Sequence, residues 1–145
     1  MRYGPAFVLS AVLCSIFAVG SALSGKARAE NDPVYVVQGG LVDQHVYNGF
    51  RRYGESCLRC HGPDGAGSSY APNLTNSLKH LSYDQFVDVI INGRKNVTAA
   101  QNNVMPSFGT TEDVVSYMDD IYGYLKARSD DKLPRGRPKR IGDDS

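Results

Sequence analysis

Cys57-Leu58-Arg59-Cys60-His61 sets two thiols two residues apart, with an imidazole directly behind the second. Thiols at that spacing reach the two vinyl groups on one edge of a haem as thioethers, and the adjacent imidazole is then held under the iron as a proximal ligand. A thioredoxin-like dithiol would want a strand before the pair and a helix after it, and half of a zinc site would want a second Cys/His pair. Here His61 is followed by Gly62-Pro63-Asp64-Gly65-Ala66-Gly67-Ser68-Ser69, a loop composition, and the remaining cysteine, Cys14, is far away. The pattern reads as one covalently attached haem c, bound by Cys57 and Cys60 with His61 on the iron.

An iron held this way needs a ligand on its other face, and the candidates are Met105, Met118, His45 and His80. Met118 falls on an apolar helical stripe and reads as core filler, His45 lies in a predicted helix, and His80 sits just before a helix cap. Met105 follows the polar stretch Asn92 to Asn103 and is held by Pro106 in an expected loop, with Val104 and Phe108 as apolar cover. Thioether and imidazole together fill both axial positions and raise the potential by favouring reduced iron, which suits electron transfer rather than catalysis. A haem peroxidase or reductase would require an open position and usually a distal acid–base residue, and a gas-binding protein would require Met105 not to ligate. Leu58, Leu74, Leu78, Leu81, Phe86, Ile90, Val104 and Phe108 are expected as the apolar shell.

The rest of the chain must position these groups. Its 145 residues are 41% hydrophobic and 21% charged, ordinary globular usage that suggests one domain. A formal charge of +1 and the absence of Trp argue against a nucleic-acid binder. Arg2, the apolar run Ala6 to Leu23 and the small-x-small sequence Ala27-Arg28-Ala29 read as a signal peptide over 1–29, which predicts export to the periplasm and no membrane span after cleavage; the alternative is an uncleaved anchor, at the lower length limit for a span. Cys14 leaves with that segment. Two structural cysteines two residues apart would make a poor disulfide staple in that oxidising compartment.

Residues 30–42 are expected as an N-terminal extension, 43–128 as the haem domain and 129–145 as a flexible basic tail. The tail carries Lys132, Arg135, Arg137, Lys139 and Arg140 with almost no apolar residue, and reads as a solvated extension, a strap over an acidic body, or an electrostatic docking arm. Asp43 can cap a first helix with stripe Val46, Gly49, Phe50 and Tyr53, ended by Gly54. Ser82-Tyr83-Asp84-Gln85 is a capping-box pattern opening a second, with the stripe Tyr83, Phe86, Val87 and Ile90 inward and Asn92-Gly93 at its close. Thr110 can cap a third, whose stripe is Val114, Tyr117, Met118, Ile121, Tyr124 and Leu125 and whose polar face carries Ser116, Asp119 and Asp120. Gly49 and Gly123 inside helices suggest close backbone approach, or for Gly123 simple tolerance.

From Asp43 to Leu125 the sequence resembles the class I monohaem cytochromes c. Gly49, Tyr53 and Cys57 match the family's first helix, Met105-Pro106-Ser107-Phe108 its distal loop, and Tyr124-Leu125 its terminal helix. The resemblance implies an all-α fold of about three main helices around one haem c, with the Pro72 carbonyl receiving the proximal imidazole N–H and Met105 as the distal ligand. It also implies an electron carrier rather than an enzyme. The stretches Gly67 to Thr75, Ile91 to Asn96 and Asp119 to Leu125 are similar to the cytochrome cL-like acceptors of periplasmic PQQ-dependent methanol or ethanol dehydrogenases. That likeness implies such a dehydrogenase as donor and a cytochrome or terminal oxidase as acceptor. The alternative is a general carrier between a quinol-oxidising complex and an oxidase.

Overall fold

The computed structural model describes Met1 and residues 34–97 and 102–143. The chain divides into two units, Met1–Glu30 and Asn31–Ser145, and every element below belongs to the second. The expected signal peptide, 1–29, lies outside the described residues apart from Met1. In chain order the elements are β1 (Val37–Gln38), β2 (Leu41–Val42), α1 (Gln44–Ser56), α2 (Leu58–His61), a 3-10 turn (Pro63–Gly65), α3 (Leu74–Ser77) and α4 (Tyr83–Asn92). They continue with β3 (Arg94–Val97), β4 (Asn102–Met105), α5 (Glu112–Ser116), α6 (Met118–Ser129) and β5 (Lys139–Arg140). The three helices of ten or more residues, α1, α4 and α6, are the expected main ones.

Helix α1 starts where Asp43 accepts the Val46 N–H at 2.9 Å. It runs past Gly54, which was expected to end it, because the Cys57 N–H still finds the Tyr53 carbonyl and Gly54 meets only open space. The helix therefore delivers Cys57 directly. Its inward face, Val46, Gly49 and Tyr53, crosses α6 at Gly49, where a Cβ would lie 1.9 Å from the Asp120 carbonyl oxygen. Only glycine permits that approach. Around it Tyr124 packs on Phe50 and Tyr53 with ring centroids 5.7 and 5.6 Å apart.

Helix α4 opens with the capping box, Ser82 accepting from Gln85 N–H and Gln85 accepting from Ser82 N–H. The third helix departs from expectation. Thr111, not Thr110, holds the N-cap position, without a side-chain cap bond, and the helix breaks at Tyr117 into α5 and α6. Tyr117 lies under the Arg52 guanidinium, 4.5 Å from ring centroid to carbon. Asp120, expected on the polar face, is buried: His45 Nδ1 stands 2.8 Å from one carboxylate oxygen and Asn48 donates to the other at 3.1 Å. Gly123 is also a close approach, since a Cβ there would lie 2.6 Å from the Val34 carbonyl oxygen.

Two small sheets were not expected from the sequence. β1 pairs antiparallel with β2, and β2 pairs parallel with β5; β3 pairs antiparallel with β4 in the register Arg94↔Met105 and Lys95↔Val104. The pairing of β5 corrects the reading of 129–145 as flexible. Leu133 and Pro138 are buried, the Leu133 N–H reaches the Ala127 carbonyl, and Ile141 N–H bonds Val42 at 2.8 Å, so the tail is a strap as far as Asp143. Its arginines hold it down: Arg137 donates to the Tyr47 hydroxyl, and Arg140 reaches Gln44 and Asp143. Two apolar anchors and several tertiary hydrogen bonds offset the entropy that composition alone suggested the segment could not recover.

Candidate functional site

The end of α1, the short α2 and the 3-10 turn form one continuous scaffold for the cysteine motif. Cys57 is buried at the α1–α2 junction, Cys60 is exposed on the outer side of α2, and both are free thiols. Burial, with a smaller contribution from Cys60, pushes the Cys57 thiol up to about 11. A redox dithiol needs the opposite shift, and helix α1 rather than a strand leads directly into the motif, so the geometry departs from that of a thioredoxin-like site.

His61 is buried, and its Nδ1 lies 3.0 Å from the Pro72 carbonyl oxygen. A carbonyl only accepts, so the ring must donate from Nδ1, which leaves the Nε2 lone pair for a metal. The loop between them is fixed from below by Tyr53, whose hydroxyl donates to the Gly62 carbonyl and accepts the Gly65 N–H at 3.0 Å. Burial pushes that hydroxyl up to about 12, so it stays protonated and can serve both bonds.

Cys57, His61 and Met105 face one apolar cleft. Leu74, Leu78, Leu81, Phe86 and Ile90 line it as expected, whereas Leu58 and Val104 are exposed and Phe108 packs against the core outside it. Val89, Ile121 and Leu125 line it unannounced, because which side of a helix meets the cleft depends on how α4 and α6 cross. Ser77 is the one hydroxyl in the lining. Of the other ligand candidates, Met118 is buried in the core away from the cleft, His45 is engaged by Asp120, and His80 is exposed on the surface.

Met105 ends a strand rather than lying in a loop, because the polar stretch before it pairs by backbone bonds that need no apolar side chains. It is seated on the last turn of α4. The Ile90 carbonyl accepts the Phe108 N–H at 2.9 Å and the Ile91 carbonyl accepts the Ser107 hydroxyl, so the orphan carbonyls of the helix end are capped by the segment that follows Met105. Gly93, at φ +73°, lets the two pass: a Cβ there would lie 2.6 Å from the Met105 carbonyl oxygen. Sequence reasoning read Gly93 as a helix stop and missed this second task.

This donor set suits a haem. A nitrogen lone pair and a thioether face an apolar cleft, with a buried thiol at its wall and a second thiol three residues on. Among the described residues no cluster of His, Cys, Asp and Glu could hold a bare metal ion.

Comparison with known proteins agrees. Residues 44–125 match the family described as cytochrome C oxidase, cbb3-type, subunit III. Cytochrome c-553I of Paracoccus denitrificans is 47% identical over 118 residues, which are 81% of this chain and 52% of that protein. Cytochrome c-555 of Methylococcus capsulatus is 47% identical over 96 residues, 66% of this chain and 72% of the relative. The crystal structure of the c-type cytochrome XoxG from Methylobacterium extorquens AM1 aligns with a TM-score of 0.64 at 43% identity, covering 72% of this chain and 62% of that one. The chain thus spans about half the length of cytochrome c-553I. Through the family matched over residues 44–125 and these relatives, the chain belongs to the class I c-type cytochromes, and its cofactor is one covalently bound haem c.

Proposed function

We propose that this protein is a periplasmic one-electron carrier in which Cys57 and Cys60 hold the haem by thioethers, His61 is the proximal ligand and Met105 the distal one. The observation that carries the reading is the meeting of His61 and Met105 in a cleft whose other described walls are apolar apart from Ser77. The bound haem supplies one-electron exchange between ferric and ferrous iron. His61 and Met105 would hold the iron from the two sides of the cleft while its apolar walls exclude water, an arrangement that favours transfer over catalysis. Among the described residues no helix is long and apolar enough to cross a membrane.

The donor we infer is a PQQ-dependent methanol or ethanol dehydrogenase, and the acceptor a cytochrome or terminal oxidase. The basis is the likeness of residues 67–75, 91–96 and 119–125 to the cytochrome cL-like group. Stopped-flow mixing of the oxidised protein with the PQQ dehydrogenases of the source organism and their alcohols tests it. Rapid reduction by one of them is expected. No reduction by any of them, with rapid reduction by a quinol-oxidising complex, would replace this donor with the general-carrier alternative.

A further inference from the structure

Asp64 is a buried carboxylate that the electron-carrier reading does not use. It lies three residues after His61 in the 3-10 turn, at φ +59°, a left-handed conformation uncommon outside glycine. Its side chain is 9% exposed and turned away from solvent onto the strap. One oxygen accepts the Gly136 N–H at 3.1 Å and faces the Tyr124 hydroxyl at 3.4 Å; the other lies 3.3 Å from Arg135 Nε. Two of its three partners come from a strap more than seventy residues away, and Arg135 is its ion-pair partner. A buried carboxylate is costly unless paired, and the strap supplies both the cation and a backbone donor that pair this one.

We propose that Asp64 is a positioning and field-setting residue for the haem, and that the strap sets its strength by docking Arg135 and the Gly136 N–H on it. This rests on the attachment of haem at Cys57 and Cys60 and deepens that reading. A negative charge beside the proximal loop favours the oxidised iron, which carries one more positive charge than the reduced form. Water screens a surface charge strongly but a buried one little, so Asp64 acts at a distance where exposed carboxylates such as Glu55 are damped. Arg135 opposes it. The same carboxylate fixes the backbone of the turn that follows His61, so the strap, the turn and the proximal ligand form one connected unit.

Potentiometric titration of the haem-loaded full chain tests this, with Asp64→Asn, Arg135→Gln, Arg135→Lys and the double variant Asp64→Asn with Arg135→Gln. Asp64→Asn should raise the reduction potential and Arg135→Gln should lower it. Arg135→Lys, which keeps the charge, should restore most of the loss. In the Asp64→Asn background, Arg135→Gln should move the potential much less, since its effect is exerted on the carboxylate. A merely structural pair would shift both single variants in the same direction through loosening of the turn. Opposite shifts with coupling support the proposal; shifts of the same sign, or an unchanged potential for Arg135→Gln, overturn it. Should Asp64→Asn fail to fold, Arg135→Gln and Arg135→Lys decide alone, because Arg135 is exposed and its replacement leaves the core untouched. Haem staining on a denaturing gel separates the two layers: unstained protein speaks against attachment, whereas stained protein with an unmoved potential speaks against the tuning alone.

Discussion

His61 Nδ1 stands 3.0 Å from the carbonyl oxygen of Pro72, eleven residues further along the chain. That one bond assigns the ring's proton to Nδ1, turns Nε2 towards the cleft, and ties the loop after the cysteine motif to the wall on which Leu74 and Leu78 sit.

Replacing Cys57 and Cys60 together with Ala should abolish covalent haem, because among the described residues no other thiol is present. Gel electrophoresis under denaturing conditions with haem staining reads the result. A stained band from the doubly substituted protein would show that attachment occurs elsewhere.

The crossing of α1 and α6 should be intolerant of any side chain at Gly49. A Cβ 1.9 Å from the Asp120 carbonyl oxygen forces the helices apart, and overpacking of that kind costs about 3 kcal/mol. Gly54→Ala, on the same helix but in open space, should stabilise by about 0.5–1 kcal/mol through helix propensity. Denaturant melts of the two variants should therefore move in opposite directions.

The contrast between those two glycines marks where the sequence was legible. Signals that act over three or four residues were readable: Asp43 on Val46, the Ser82–Gln85 box and the Gly93 stop all depend on backbone geometry that the chain carries locally. Gly54 and Thr110 were misread by two residues and one at helix ends, where adjacent residues serve almost equally well, whereas Asp120 was misread because its role is decided by partners far along the chain. Asp120 looks solvated on a helical wheel until His45 and Asn48 of another helix meet it. The strap was one of three readings that the tail's composition left open, since five cations and two prolines equally suit a flexible tail unless Tyr47, Asp64 and the edge of β2 are known to receive them. At the site, spacing exposed Cys57, Cys60 and His61, whereas selecting Met105 among four candidates drew on family resemblance.

Because Leu133 is almost wholly buried, Leu133→Ala should cost about 2–4 kcal/mol, and truncation after Arg128 should lower the melting temperature further. Both effects should persist at high salt, since they arise from lost burial and backbone bonds. Thermal melts at low and high ionic strength check this. A truncation that leaves stability unchanged would return residues 129–145 to the status of a solvated tail.

Tyr53 makes stability fall in alkali. Its hydroxyl is pushed from 10.0 to about 12, so between those values the unfolded chain loses the proton while the folded one keeps it. The unfolded state then binds fewer protons, and stability declines by up to about 1.4 kcal/mol per pH unit from this group. The contribution is intact below pH 10 and is lost as pH rises towards 12. Tyr53→Phe should be less stable at neutral pH, because Gly62 and Gly65 lose their partner, yet should show a shallower decline above pH 10. Urea unfolding across that range distinguishes the two curves.

The optical spectrum of the oxidised, haem-loaded chain tests the central claim most directly when taken beside Met105→Ala and Met118→Leu. A low-spin spectrum with a sulfur-to-iron charge-transfer band is expected for the natural sequence and for Met118→Leu. Met105→Ala should keep its covalent haem, lose the band and admit carbon monoxide when reduced. A high-spin spectrum in the natural protein, or a band that survives Met105→Ala and disappears with Met118→Leu, would contradict the assignment of Met105 and with it the closed, electron-carrying haem.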